Sequence, residues 1–210
     1  MTQSTLWTIL AHMSYLYKSI EDILNKLQGA YAPNTLKSYY ADARAFVDWC
    51  SERNIEPFPI ASETLCAYVE CLQVNSAYSS IRRRIASLRR LNRMLGFKDQ
   101  TRTEAVYLAI RRLKRSKCLE QRQAVGFNHD ILVKMIDAQR DTLAGTRNRA
   151  LLSLGYDFLA RRSELVAIRS DDLKFTPDGA LTGMIRKSKT DQYGRGRLVF
   201  GSDRSAKLVR

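Results

Sequence analysis

Tyr156-Asp157-Phe158-Leu159-Ala160-Arg161-Arg162-Ser163-Glu164-Leu165-Val166-Ala167-Ile168-Arg169 is the segment around which the rest of the chain can be ordered. It closes an apolar run, Thr146 to Ala160, that carries Ala150, Leu151, Leu152, Leu154, Tyr156, Phe158 and Leu159 and is expected to form a buried helix. Two arginines then break the apolar texture, and an acid follows the first of them by three residues. Neighbours on a helix diverge by about 100°, so only one of Arg161 and Arg162 can face a given anion. Glu164 stands where it can orient Arg161 or cap a helix.

Downstream the period changes. Pro177-Asp178-Gly179 is a hairpin signal, and the flanking segments Leu173 to Thr176 and Leu181 to Arg186 read as strands. A second turn, Gln192 to Gly196, precedes a third strand over Arg197 to Phe200. Immediately upstream, His129 to Arg140 reads as an amphipathic helix with Ile131, Leu132, Met135 and Ile136 inward. Residues 120–210 therefore form a unit that starts helical and ends in a small antiparallel sheet.

Residues 1–119 read as helices throughout, with 1–18 as an N-terminal arm. Ser19 and Asp22 have capping-box spacing ahead of Ile23, Leu24 and Leu27. After Pro33-Asn34, a helix carries Leu36, Tyr39, Tyr40, Ala43, Phe46, Val47 and Cys50. Pro57 and Pro59 interrupt, and Ser62 is expected to cap the next helix, with Leu65, Tyr68, Val69 and Leu72 inward. The segment Ala77 to Leu95 places Ile81, Ile85, Leu88, Asn92 and Leu95 on one face. Arg82, Arg89 and Arg93 line a flank, with Arg83 and Arg90 pointing away from the core. No acid lies in this segment, whereas a solvated charged face usually alternates signs. Arginine planes fit phosphate oxygens and guanine edges, so the expected role is a helix in a nucleic-acid groove with Arg82, Arg83 and Arg90 as contacts. A further basic helix, about Thr103 to Arg115, adds Arg111 and Arg112, and Ser116 to Phe127 reads as a linker.

Bulk composition agrees. The 210 residues are 45% hydrophobic, enough for real cores, and the net charge of +14 favours a polyanionic partner. Cys50, Cys66, Cys71 and Cys118 form no CxxC pair and read as buried thiols of a reducing compartment. His12 and His129 are far apart with no cysteine near them, so no metal site is expected. No apolar run reaches membrane-span length and no signal-peptide pattern opens the chain, which points to the cytoplasm.

The Tyr156–Arg169 segment resembles the first arginine box of the tyrosine recombinases, the phage integrase family. The order of helices, arginine box and hairpin resembles its Cre-like branch. The resemblance implies a mainly α chain: an all-helical, SAM-like core-binding domain, then the start of an α+β catalytic domain with a small antiparallel sheet. It assigns Arg161 as the catalytic arginine, Glu164 as its acid, and Lys189, in Ile185-Arg186-Lys187-Ser188-Lys189-Thr190, as the hairpin lysine. Ser170-Asp171-Asp172-Leu173 matches the turn into the first strand. Thr35 and Lys37, at the entrance of the second helix, join the DNA-contacting set, and Arg162 is a surface or backbone contact. Many family members have glycine where this chain has Leu159.

In the family the reaction breaks and rejoins DNA through a 3′-phosphotyrosine, with a tetramer assembled on a pair of sites. A fixed guanidinium holds the charge that develops on the phosphate, and a lysine protonates the leaving oxygen. Neither metal nor other cofactor is implied. The family's second half supplies a His-x-x-Arg box and the tyrosine nucleophile. Here no histidine follows His129, and Tyr193 is the only tyrosine beyond Glu164. The expectation is a chain that binds double-stranded DNA and does not cut it. Two rivals share its features: a non-catalytic DNA-binding regulator or decayed integrase, and a basic RNA-binding module, which the lack of aromatic stacking motifs disfavours.

Overall fold

Apolar positions recurring every three to four residues make the front of the chain helical, and the computed structural model shows how those stripes meet. It describes residues 16–117, 123, 125, 126, 128–191 and 193–210. Chain contacts divide it into Met1–Arg122 and Gln123–Arg210.

In the first unit, α1 (16–26) leads to α2 (Pro33–Ser51), α3 (Ser62–Asn75), α4 (Tyr78–Met94) and α5 (Glu104–Ser116), with a 3-10 turn at Gln100–Arg102. Pro33 opens α2 at a first-turn position, where its missing N–H costs nothing. α2 packs on α4, and α3 on α5. Phe46, Val47, Leu65, Tyr68, Ile81, Ile85, Leu88 and Leu91 form the shared core. Phe46 and Trp49 close on Tyr68 with centroid separations of 5.0 and 5.1 Å. Asn92 is buried among these residues and bonded at both ends of its amide: its Oδ1 accepts from Ile60 N (3.0 Å) and its Nδ2 donates to Lys98 O (3.2 Å). It thereby ties the Pro57–Pro59 connection to the end of α4.

Several expectations need correction here. α1 is already helical at residue 16, so Ser19 lies inside it and does not cap it. Ser62 is the first residue of α3, while the cap position is Ala61, without a side-chain bond. Of the cysteines, Cys50 is buried, Cys66 half-buried and Cys71 exposed; Cys118 lies outside the described residues. Most of the arm 1–18 and much of the expected linker also fall outside them.

The second unit begins with α6 (His129–Asp137), capped by Asn128 Oδ1 on Ile131 N, and α7 (Leu143–Asp157), capped by Thr142. The short α8 (Arg162–Leu165) and a 3-10 turn (Ser170–Asp172) follow. Strands β1 (Leu173–Phe175), β2 (Leu181–Ile185) and β3 (Arg197–Gly201) then form an antiparallel sheet in the order β1-β2-β3, with Leu173 opposite Gly183 and Met184 opposite Leu198. Its core is Leu154, Phe158, Leu181, Ile185, Val199 and Ala206.

Leu132 and Ile136 of α6 are buried as expected, but Ile131 and Met135 are exposed. α7 is less buried than its composition suggests, because only Gly145, Ser153 and Leu154 are fully covered along it. One element escaped the sequence reading altogether: α9 (Asp203–Val209), capped by Ser202. Asp157 anchors it, accepting from Ser202 N (2.7 Å), Ser202 Oγ (2.6 Å) and Ser205 Oγ (2.6 Å).

Candidate functional site

In the second unit, the site is built where α7 turns into α8. Phe158 ends the helix and is buried against β2. Gly183 lies beneath it, and a Cβ there would stand 2.8 Å from the ring. Leu159 then takes φ +48°, a left-handed conformation, with its side chain exposed. That turn delivers Arg161 to the cap position of α8.

Glu164 receives it. One carboxylate oxygen accepts from Arg161 N at 3.1 Å and the other from Arg161 Nη1 at 2.7 Å. Arg197, from β3, adds Nη2 at 3.7 Å and donates to Phe158 O at 3.1 Å. The carboxylate is buried, while the Arg161 side chain remains 51% exposed. The Arg161 side-chain hydrogen bond, first among several causes, holds Glu164 below the usual glutamate range. Glu164 is thus an ionised group that fixes an arginine, which leaves Arg161 with free donors toward solvent. Arg162, one residue on, is exposed.

The arrangement recurs eight residues later. Asp172, also buried, accepts from Arg169 N (2.9 Å) and from Arg186 Nε (2.6 Å). Its acidity is raised chiefly by the Arg169 amide and then by Arg186. Arg186 stands at the exit of β2, so this pair fastens the start of the β2–β3 connection to the box segment. A cavity of about 200 Å³ lies between them, bounded by Glu164, Ile168, Met184, Arg186 and Lys187.

Lys189 is exposed within that connection. The strand ends at Ile185, so Lys187 and Lys189 are not on one side of a strand, the arrangement an extended segment would have given. Asp191 shapes the loop by accepting from Arg195 N (3.1 Å) and Gly196 N (2.8 Å). Tyr193 is exposed at the turn. The fold therefore brings Arg161, Glu164 and Arg197 together and carries Lys189 on the adjoining hairpin. Asp172, Arg186 and Arg197 were not picked out from sequence. The repeated arginine–acid spacing, Arg161/Glu164 and Arg169/Asp172, was the available signal.

The first unit offers a basic surface of its own. Arg82, Arg83 and Arg93 are exposed on α4, and Arg111, Arg112, Lys114 and Arg115 on α5. A cleft of about 700 Å³ between these helices is lined by Tyr78, Arg82, Arg102, Tyr107, Arg111 and Lys114 among others. The acid-free pattern of α4 misled in one respect, because acids reach it from other elements. Arg83 pairs with the buried Asp42 of α2. Arg89 turns inward to Thr101, with Nε on Oγ1 at 2.8 Å and Nη2 on the carbonyl at 2.6 Å. Arg90 does not point away from the core: it is half-buried, and Nη2 donates to Tyr31 Oη at 2.6 Å. Thr35 is half-buried and Lys37 exposed at the start of α2.

Among the described residues, no group of three or more His, Cys, Asp or Glu side chains is placed to hold a metal ion. No helix among them is long and apolar enough to cross a membrane.

Comparison with known proteins gives a consistent answer. Residues 21–96 match the phage integrase N-terminal SAM-like domain. The chain is similar to an integrase/recombinase xerD homolog of Selenomonas ruminantium, 32% identical over 178 residues, covering 83% of this chain and 52% of that protein. It is 27% identical over 179 residues to the recombinase cre of Escherichia phage P1, covering 82% of this chain and 52% of that one. The chain thus spans about half the length of these curated relatives. Among solved structures, the XerH site-specific recombinase, bound to palindromic difH substrate in a post-cleavage complex, aligns with a TM-score of 0.61 at 15% identity. That alignment covers 99% of this chain and 60% of that one, and it speaks for the fold.

Proposed function

We propose that this chain, which belongs to the tyrosine recombinase (phage integrase) family, binds double-stranded DNA and contributes the arginine and lysine part of a strand-breaking and rejoining site. The observation that carries the proposal is the grip of buried Glu164 on Arg161. A guanidinium held by a buried acid, with donors left exposed, suits a phosphate whose non-bridging oxygens gain charge in the transition state. Lys189 is the proton donor to the leaving oxygen in this reading. Glu164 is a positioning residue, and Arg162 a backbone contact. In the front unit, Arg82, Arg83, Arg111 and Arg112, with Thr35 and Lys37, are the proposed DNA contacts, and the net charge of +14 supports them. Self-association into a tetramer on a pair of sites belongs to the same proposal.

The 210-residue chain is further proposed to bind without forming a covalent adduct. Phosphoryl transfer depends on a nucleophile in line with the leaving oxygen. Tyr193 is exposed on the hairpin that carries Lys189, and in this reading a tyrosine beside the proton donor lies on the leaving-group side, out of line for attack. Incubation with nicked duplexes followed by denaturing electrophoresis is expected to show no protein–DNA band. A band abolished by Tyr193→Phe would overturn this part of the reading. Binding to duplex DNA that RNA of equal length competes away on equal terms would favour the RNA-binding alternative instead.

A further inference from the structure

Asp42 is a carboxylate that the site described above does not use. It sits within α2 beside the core residues Ala43 and Phe46 and is only 3% exposed. A buried carboxylate persists where cations or hydroxyls satisfy it, and the side chains that hydrogen-bond or ion-pair with Asp42 among the described residues come from α4. Arg83 Nη1 donates to Oδ2, Ser87 Oγ donates to the same oxygen at 2.7 Å, and Arg84 Nε stands 4.0 Å from Oδ1.

The Arg83 side chain is nevertheless 50% exposed. A guanidinium is a planar fork of five N–H donors; the carboxylate engages it at Nη1, and the half-exposed side chain has further donors to offer. An arginine on an open helix surface loses rotamer freedom when it binds, which weakens each contact it makes. It also serves any nearby phosphate equally well. One held by a buried acid is already ordered, and a fixed pair of parallel donors matches the O6 and N7 acceptors of guanine in the major groove.

We propose that Asp42 is a positioning residue for base readout: its buried carboxylate holds Arg83 in one presented orientation, so that the chain prefers guanine at one base pair of a bound duplex. The inference rests on the front unit's binding DNA, and it adds a specificity role for a residue that never touches the DNA.

The test is selection of the full chain against a duplex library with a randomised core, followed by affinity measurements on selected and unselected duplexes. The wild type is expected to enrich a motif with guanine at one position. Arg83→Gln erases that preference, Asp42→Asn erases it at the same position, and the double variant does no worse than either single change, since the two residues act as a unit. The ratio of affinities between duplexes with and without that guanine falls roughly tenfold or more in each variant. Asp42→Glu, which keeps the charge but displaces the carboxylate, is the second variant should Asp42→Asn fail to fold, and it is expected to lose the same preference. Retention by both Asp42 variants of the preference that Arg83→Gln erases would overturn the proposal. So would an equal loss on all duplexes in step with a lower melting temperature, which makes Asp42 a packing residue. A wild type that binds duplexes without enriching any motif overturns this inference alone, whereas one that binds no duplex overturns the proposed function as well.

Discussion

Glu164 holds Arg161 at two points, the backbone amide and the guanidinium, so one buried side chain both starts α8 and aims the arginine. Removing the acceptor leaves the half-buried Arg161 amide without its partner, while the exposed guanidinium can turn to water. Glu164→Ala is therefore expected to destabilise the chain by about 1–3 kcal/mol. It should also lower the NMR order parameter of the Arg161 side-chain N–H signal as the guanidinium gains freedom. An unchanged order parameter would mean that Glu164 does not position the arginine.

Leu159 offers a change in the opposite direction. Its φ of +48° carries a steric cost for any residue with a Cβ, and its side chain, exposed, recovers little by packing. Leu159→Gly is expected to raise stability by about 0.5–1 kcal/mol, read from thermal melting. A loss of stability would show that the leucine side chain has a packing role.

Gly183 tests the floor beneath the box. A Cβ at this position would lie 2.8 Å from Phe158 and 3.1 Å from Val199, both buried. Gly183→Ala should cost about 1–3 kcal/mol through overpacking. Phe158→Leu in the same chain should recover part of that loss, since the smaller side chain vacates the contact.

Acid should weaken the second unit. Glu164 is held down first by the Arg161 side chain, and Asp172 first by the Arg169 amide. For Asp157, burial opposes ionisation, but hydrogen bonds from Ser202 and Ser205 outweigh it. All three folded values lie below the ordinary 4.5 for glutamate and 3.8 for aspartate. Depressed values contribute stability that is present above the unfolded pKa and is lost as pH falls through the folded one. The melting temperature is expected to hold as pH drops to about 4.5 and to fall below that. A rise on acidification through this range would contradict the assigned ion pairs.

Sequence alone carried much of the fold. Helical periodicity identified α2 through α5 because Leu36 to Cys50 and Ile81 to Leu95 repeat at the right spacing, and Pro177-Asp178-Gly179 located the first hairpin. It missed α9, whose seven residues are too few for a periodic signal and whose cap, Ser202, acts through Asp157 far upstream. Helix boundaries at Ser19 and Ser62 went astray because capping spacing is local while packing sets where a helix begins. In the site, the Arg161–Glu164 pairing was legible from its three-residue interval. Arg197 and the Asp172–Arg186 pair were not, because strand pairing and turn closure bring them together. The same limit applied to α4: an acid-free stretch looked like an uncompensated cationic face, while Asp42 waited on another helix.

The claim on which the rest depends is that the chain binds duplex DNA through its cationic surface, and a salt titration of binding tests it most directly. Contacts to several phosphates release as many counterions, so affinity for a duplex is expected to fall roughly a hundredfold or more between about 50 and 200 mM salt. Arg111→Ala and Arg112→Ala together should make the logarithmic slope shallower by about one to two. Binding that is absent at low salt, or that is insensitive to salt across this range, would contradict the account.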